Sequence, residues 1–156
     1  MRRPVKNRKP VNPDRVYNSV KVARFINYIM NDGKKTVAKS VVYDAFKFIK
    51  ENEGVENPLE VFDAAIKNAG PMTEVRSRRI GGANYQVPRE VRADRRLALS
   101  MRWIIAVARK RKGVPMYRKI ADELILASKN EGEAFKKKEN THKMAEANKA
   151  FAHFSW

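Results

Sequence analysis

Residues 73–91 read TEVRSRRIGGANYQVPREV, two short strand-like runs on either side of a Gly-Gly pair. Glycines in a short connection between such runs indicate a β-hairpin, because its turn requires positive φ angles that glycine adopts without strain. We predict a connection of about four residues, with Pro88 at a position where no ladder donor is needed. Neither strand has an apolar face long enough to form half of a core sheet, and an isolated ribbon is marginal in water. We therefore expect the hairpin base to pack on helices and the tip to project outward.

An arginine-rich helix is predicted directly after the hairpin, from about Arg92 to Lys110. Apolar residues at helical spacing predict its buried face: Leu97, Met101, Ile104, Ile105 and Ala108. Three arginines stand seven residues apart on another face and are called the arginine ridge: Arg95, Arg102 and Arg109. Residues 95–121 contain no acidic residue, so we expect no local ion pair to neutralise the ridge. The alternative is an ordinary solvated helix whose arginines cover apolar surface.

The other helices are predicted from apolar periodicity and from capping and turn residues. The first three begin at Ser19, at a Thr36 cap and at Asn57-Pro58, and they end at residues 31–34, 52–54 and 70–71. Gly113 ends the fourth, Pro115 starts the fifth, residues 130–132 stop it, and the sixth covers about 133–150. The predicted buried face of the second helix consists of Val37, Val41, Ala45, Phe48 and Ile49, widened by Val42 and Phe46. The prediction is a mainly α single domain over residues 19–156, with about six helices and one protruding β-hairpin at about 73–91.

The net charge of +17 is unevenly distributed. Residues 1–17 carry a net charge of +5 and residues 97–121 a net charge of +7, whereas residues 122–156 hold six basic and six acidic side chains. Concentrated charge of one sign repels itself and so indicates a polyanionic partner. Nucleic acid fits better than an anionic membrane, because no basic segment also has the broad apolar face of an interfacial helix.

Residues 1–18 are predicted to form a basic, extended N-terminal arm. They contain three prolines and no apolar period, so we expect the arm to stay disordered until it binds a partner. The alternative is a flexible tail that serves only solubility.

Composition excludes several classes of protein. There is no cysteine, so neither a disulfide framework nor a thiolate metal site is possible. No apolar run approaches the roughly 18 residues of a membrane span, and the basic start is not followed by the apolar stretch of a secretory signal. We expect a cytosolic protein without a membrane partner.

Catalytic motifs are also lacking. Residues 33–36, GKKT, lack the earlier glycine and the preceding strand of a phosphate-binding loop. The two histidines, His142 and His153, have no carboxylate partner in a motif, and the acidic residues show no paired spacing. We predict no enzyme activity, no metal, no cofactor and no small-molecule substrate.

Aromatic residues are interleaved with the basic regions, and most are expected in the core. Tyr85 beside the hairpin tip and Trp156 at the C-terminus are better candidates for stacking on nucleic-acid bases.

Four motifs of this chain resemble those of ribosomal protein seven of the bacterial small subunit. They are EVRSRRIGGANYQVP at 74–88, ALSMRWI at 98–104 with ARKR at 108–111, MAEANKAFAH at 144–153, and DGKK at 32–35. The likeness extends from about Val16 to Trp156. The ending Phe154-Ser-Trp156 resembles the shorter members, so we expect any function of a longer tail to be absent.

The resemblance implies a mostly helical fold with a protruding hairpin and a role in translation. It implies primary binding of 16S-type rRNA in the 3′ major domain, which nucleates assembly of the 30S head. It also implies a place at the subunit interface near the decoding centre and the exit (E) site, beside tRNA and mRNA. Small-subunit ribosomal proteins nine and eleven would be its neighbours in the cytoplasmic ribosome.

The resemblance also assigns roles to individual residues. Contacts of the arm with rRNA phosphates are expected at Arg2, Arg3, Lys6, Arg8 and Lys9. The main rRNA face is expected at Arg76, Arg92, Arg95, Arg96, Arg102, Arg109, Lys110 and Arg111. Further rRNA contacts are expected at Lys34, Lys35, Met116, Arg118, Lys136, Lys137, His142, Lys149, His153 and Trp156. The residues expected to face E-site tRNA or mRNA are Arg78, Arg79, Gly81, Gly82 and Tyr85.

A DNA-architectural protein is the alternative function, since a helical body with a β-arm also occurs among proteins that bend DNA from the minor groove. Such arms insert apolar wedges between base steps, and Ile80 is the only bulky apolar residue beside the Gly-Gly pair. The ribosomal interpretation needs no wedge, because folded RNA is recognised largely by its shape and its phosphate positions.

Overall fold

A computed structural model describes residues 10–154, which form six α-helices, one β-hairpin and a terminal 3-10 helix. The helices are α1 Val20–Ile29, α2 Lys35–Glu53, α3 Pro58–Ala69, α4 Ala93–Lys110, α5 Met116–Ser128 and α6 Gly132–Ala147, and the 3-10 helix is Lys149–Phe154. The antiparallel strands are β1 Thr73–Ile80 and β2 Ala83–Glu90. The mainly helical fold with one hairpin is confirmed. Among the helices of this range, none has the length and apolar character needed to cross a membrane.

The core lies around α5, which packs against α2, α3, α4 and α6. Three phenylalanines from α1, α2 and α3 meet edge to face: the Phe25 and Phe46 rings lie 5.3 and 5.4 Å from the ring of Phe62. All three are fully buried. Truncating one of them to alanine costs about 3–5 kcal/mol of the free energy of unfolding, because a cavity remains. These contacts hold α1, α2 and α3 together.

Of the predicted starts of the first three helices, those at Ser19 and Asn57 are confirmed and the one at Thr36 is wrong. The Ser19 hydroxyl accepts from the Val22 N–H at 3.5 Å, and the Asn57 side chain accepts from the Leu59 N–H at 3.1 Å. Thr36 does not cap α2, because the helix has already begun at Lys35. The preceding turn lies at residues 31–34 as predicted and is closed by the bonds of the Lys34 N–H to the Asn31 carbonyl and of the Lys35 N–H to the Gly33 carbonyl.

The buried face of α2 differs from the prediction. Its buried residues are Ala38, Val42, Ala45, Phe46 and Ile49. Val37 is 60% exposed, and Val41 and Phe48 are only partly buried. Apolar residues are spread around much of the circumference of α2, so their periodicity alone did not define the centre of its buried face. Packing against α1, α3 and α5 decided which of these residues are buried.

The hairpin turn contains two residues, not the predicted four. Ile80 pairs with Ala83 across Gly81 and Gly82, whose φ angles are +57° and +91°. Two positive φ angles in succession define a turn whose twist matches the right-handed twist of the strands. Pro88 pairs with Val75 near the base.

The last helix is shorter than predicted. α6 ends at Ala147, and residues 149–154 form the 3-10 helix instead of continuing it. The Asn148 side chain donates to the carbonyl of Met144 at 2.8 Å. Such local side-chain bonds to the backbone compete with helix continuation.

The end of the predicted arm packs on α2. Asp14 is 5% exposed, and its carboxylate accepts from the Tyr43 hydroxyl at 2.8 Å and from the N–H groups of Val16 and Tyr17. Burial alone would raise the pKa of Asp14, but these hydrogen bonds outweigh it and lower the pKa. Burial and the Asp14 carboxylate raise the pKa of Tyr43 to about 12. Residues 1–9 of the arm lie outside the described residues, and the division at residue 18 remains a prediction.

Candidate nucleic-acid interface

A nearly buried carboxylate joins the hairpin base to α4. Glu74 on β1 is 8% exposed, and its Oε1 accepts hydrogen bonds of 2.8 Å from the Nε atoms of Arg76 and Arg95. Its Oε2 lies 2.7 Å from Nη2 of Arg95, so this arginine binds the carboxylate through two nitrogens. The expectation of an unneutralised ridge is therefore wrong at Arg95. The acid lies 21 residues earlier in the chain, which is why the local sequence did not show it.

Glu74 is ionised in this cluster. Burial alone would raise the pKa of its carboxyl, but the hydrogen bonds from Arg95 and Arg76 outweigh burial and hold the pKa below its usual range. The same hydrogen bond raises the pKa of Arg95. The Arg95 and Arg76 side chains remain 45% and 49% exposed. One carboxylate thus holds two guanidinium groups at the surface, and the three groups together carry a net charge of +1.

A cleft of about 650 Å³ between α1 and α4 is lined by Arg24, Tyr28, Arg95 and Arg102, among others. The Arg102 guanidinium lies over the Tyr28 ring, 5.5 Å from its centroid, a cation–π contact that holds it toward α1. Arg24 lies 3.5 Å from the exposed carboxylate of Asp94. An exposed pair of this kind contributes little to stability and is readily exchanged for another anion. The cleft therefore has three arginines on its walls.

Arg109 extends the basic surface toward the turn between α1 and α2. Its Nη2 donates to the carbonyl of Ile29 at 3.3 Å and to Oδ1 of Asn31 at 2.9 Å. It lines a cleft of about 460 Å³ with Lys34 and Met116. This cleft brings Lys34 together with Arg109 and Met116 from a distant part of the sequence, and all three were predicted to contact rRNA. Arg102 and Arg109 also share a smaller cleft of about 330 Å³, so the ridge is spatially continuous there.

The hairpin tip is exposed at Gly81, Gly82 and Arg79. No atom other than those of neighbouring residues lies within 4 Å of where a Cβ would stand on either glycine, so they are needed for backbone conformation and not for internal space. Arg78 points back toward the body, and its Nη1 donates to the carbonyl of Phe154 at 2.8 Å. The glycines of the tip are therefore exposed, whereas the Arg78 side chain contacts the terminal 3-10 helix.

The Tyr85 ring packs on the terminal 3-10 helix. Its centroid lies 5.4 Å from that of Phe151 and 5.3 Å from that of Phe154. The ring is partly buried, so a nucleic-acid base can reach only part of it. Stacking on Tyr85 remains a prediction, and Trp156 lies outside the described residues.

The basic residues of α6 cover the adjoining side of α4. The Lys137 ammonium lies 5.5 Å from the centroid of the Trp103 ring. Lys136 pairs with Glu133 at 3.2 Å. His142 accepts from the Met72 N–H at 2.9 Å, which ties α6 to the hairpin base. These residues have both structural contacts and exposed surface.

Two further predicted residues make mainly internal contacts. Arg111 donates from Nη2 to the fully buried Glu123 carboxylate at 2.8 Å and lies 3.7 Å from Asp122. Arg96 donates to the carbonyls of Gly70 and Lys67, both at 3.2 Å. The two acids that face Arg111 lie just beyond the acid-free segment. Arg111 is not part of the arginine ridge, and its charge is directed mainly to these two acids.

The remaining predicted residues lie at the surface or outside the described range. Exposed positions are Lys35, Arg92, Lys110, Arg118, Lys149 and His153. Outside residues 10–154 are Arg2, Arg3, Lys6, Arg8, Lys9 and Trp156. The sequence reasoning missed Glu74 and Arg24. The only local sequence pattern that pointed to Glu74 was its position on β1, where it alternates with Arg76 and Arg78.

Comparison with known proteins decides the family of this chain. A sequence model of the family described as ribosomal protein S7p/S5e matches residues 1–149. The chain belongs to this family. The match includes the arm, so the likeness begins well before Val16, where the motifs had placed its start.

Relatives from bacteria support the same assignment, and each bears the name small ribosomal subunit protein uS7. The chain is 57% identical over 149 residues to the protein of Caldanaerobacter subterraneus subsp. tengcongensis, covering 96% of this chain and 95% of the relative. It is 57% identical over 149 residues to that of Treponema denticola, with the same coverage. It is 54% identical over 156 residues to that of Thermotoga neapolitana, covering all of both chains.

Membership of this family makes the chain a structural component of the small ribosomal subunit and not an enzyme. Its place is accordingly the ribosome in the cytoplasm. The basic surface around α1, α4 and the hairpin base is the candidate interface for nucleic acid in that particle.

Proposed function

We propose that this chain is a primary binder of 16S-type rRNA, that it binds the 3′ major domain, and that this binding nucleates assembly of the 30S head. The observation that supports the proposal most strongly is the continuous arginine surface of Arg24, Arg95, Arg102 and Arg109 along three clefts. Two of these guanidinium groups are fixed by hydrogen bonds to the protein. Fixed cations suit a folded RNA, whose phosphates have defined positions.

The hairpin is proposed to reach the E-site tRNA and the mRNA. Its base is held to α4 through Glu74 and to α6 through His142. Its tip carries the exposed Gly81 and Gly82, where a nucleic-acid backbone can approach closely. A firmly held base with an exposed tip suits a contact with ligands that enter and leave.

Protein neighbours are proposed from the family resemblance, namely small-subunit ribosomal proteins nine and eleven. Two exposed methionines are compatible with such contacts: Met72 is 60% exposed and Met144 is 55% exposed. Methionine adapts well to irregular apolar surfaces.

The alternative of a DNA-architectural protein is less well supported. Its wedge would have to be Ile80, which is partly buried and pairs with Ala83 across the turn. Minor-groove kinking requires a protruding apolar side chain that can enter a base step.

Filter binding tests the proposal. We expect the purified chain to bind a folded fragment of the 3′ major domain of small-subunit rRNA at least about 10³-fold more tightly than random duplex DNA at the same salt concentration. A folded rRNA fragment from another domain serves as the matched control for charge and shape. Equal affinity for all three nucleic acids would overturn the proposal.

A further inference from the structure

Glu74 is an acidic residue in the middle of the proposed anion-binding surface. A carboxylate there repels phosphates, and replacing it would raise the positive charge of the surface. Its side chain is only 11% exposed, whereas both arginines that it binds are about half exposed. The acid therefore lies beneath the arginines and not beside them.

The contacts of Glu74 fix the orientation of each guanidinium. Arg95 uses its Nε and Nη2 atoms, at 2.8 and 2.7 Å, so its Nη1 lies on the side of the planar group away from the carboxylate. Arg76 uses its Nε atom, at 2.8 Å. The two arginines come from β1 and α4, and one carboxylate sets the spacing between them.

We propose that Glu74 is a positioning residue for rRNA binding, which holds Arg76 and Arg95 in the orientation that matches the phosphates of the specific site. This inference rests on the proposed rRNA function. The entropy of ordering two long side chains is then lost on folding instead of on binding. The carboxylate also lowers the charge available to any polyanion, so it disfavours binding to the wrong nucleic acid.

The test compares wild-type protein with Glu74→Gln in binding the specific rRNA fragment and random duplex DNA over a range of salt concentrations. We expect the ratio of the two affinities to fall about tenfold in Glu74→Gln, because the arginines are no longer fixed. Affinity for duplex DNA should rise, with a salt slope steeper by roughly one unit, because a negative charge has been removed. A change of overall stability alone would shift both affinities together.

The matched control is Glu53→Gln, which makes the same chemical change at an acid paired with Lys129 on the far end of α2. It should leave the ratio unchanged. A second variant, the double change Arg76→Gln and Arg95→Gln, tests whether Glu74 acts through the two arginines: adding Glu74→Gln to it should change the ratio less than about twofold.

The outcomes separate the two proposals. If wild-type protein prefers the rRNA fragment and Glu74→Gln keeps the wild-type ratio, the positioning role is overturned and the rRNA function stands. If wild-type protein shows no preference, the rRNA function itself fails. Circular dichroism and the thermal midpoint of each variant confirm that the proteins compared are folded.

Discussion

The Nε2 atom of His142 on α6 accepts a hydrogen bond of 2.9 Å from the backbone N–H of Met72, one residue before β1. An imidazole nitrogen can accept only when it carries no proton. Lys138 on the same helix and Arg96 on α4 are the positive charges that act on the ring. Burial, followed by these two positive charges, lowers the pKa of His142. The link between α6 and the hairpin base is therefore a contact of neutral histidine.

The first prediction is that the stability of the fold depends on pH through His142. The folded pKa lies below the unfolded value of about 6.5, so the unfolded chain binds more protons between these two values. The stabilising contribution is fully present above about pH 6.5 and is lost as the pH falls toward the folded pKa. In urea denaturation between pH 5 and pH 8, the free energy of unfolding should rise less with pH in His142→Gln than in the wild-type protein.

The matched control for this prediction is His153→Gln, which alters an exposed histidine on the terminal 3-10 helix. Measured over the same pH range, it shows how far the removal of a histidine outside this contact changes the pH dependence. The lowered pKa values of Glu74 and Asp14 act in a more acidic window, below about pH 5. A wild-type curve that is flat from pH 5 to pH 8 would contradict the prediction.

The second prediction concerns the arginine ridge. Neutralising Arg102 and Arg109 to glutamine should weaken binding to the specific rRNA fragment and lower the salt slope by roughly one unit for each phosphate that is no longer neutralised. Neutralisation is a cleaner change than reversal, because it avoids placing new carboxylates on the surface. The control is the double change Lys47→Gln and Lys50→Gln, which removes the same charge from the exposed face of α2. An equal fall in affinity in both double variants would show that only net charge matters.

The third prediction separates the hairpin tip from the rRNA anchor. Deleting Arg79, Ile80, Ala83 and Asn84 joins Gly81-Gly82 directly to the Arg78–Tyr85 pair and preserves the register, since two residue pairs are removed. We expect affinity for the rRNA fragment to stay within about threefold of wild type, because the base contacts remain. Binding of tRNA to the E site of reconstituted subunits should weaken. An rRNA affinity as low as that of the ridge variant would instead make the tip part of the anchor.

The fourth prediction is that Glu123 stabilises the packing of three elements. It is fully buried and accepts from Arg111 at 2.8 Å and from the N–H of Ala134, in the first turn of α6, at 2.9 Å. Glu123→Ala should reduce the free energy of unfolding by about 2–4 kcal/mol, since it leaves a cavity and unpaired polar groups. Glu123→Gln keeps an acceptor for Ala134 and should cost about half as much.

Chemical denaturation measures the Glu123 effect, and Glu53→Gln is again the control, with an expected change within about 0.5 kcal/mol. At a temperature where every variant is folded, affinity for rRNA should be nearly unchanged. A large decrease of rRNA affinity in folded Glu123→Gln would assign the Arg111 region to the interface instead.

Sequence alone determined the six α-helices and the hairpin of this fold, but not the terminal 3-10 helix. Helices followed from apolar residues at spacings of three and four, as in α3 and α4, and their ends followed from Asn57, Gly54 and the Gly-Pro pair at 70–71. The hairpin followed from Gly81-Gly82 between two strand-like runs. These signals are readable because capping, turn geometry and amphipathic periodicity depend on residues only a few positions apart.

Tertiary structure decided which charges are paired and which faces are covered. Glu74 reaches Arg95 across 21 residues, and Glu123 reaches Arg111 across 12. The Tyr85 ring packs on the terminal 3-10 helix, from which α4, α5 and α6 separate it in the chain. Because residues 95–121 contain no acid, the sequence predicted ridge arginines without ion pairs. In the fold, Arg95 pairs with Glu74, because core packing brings their two elements together. Sequence distance carries no information about that proximity, so the orientation of the basic surface had to await the fold.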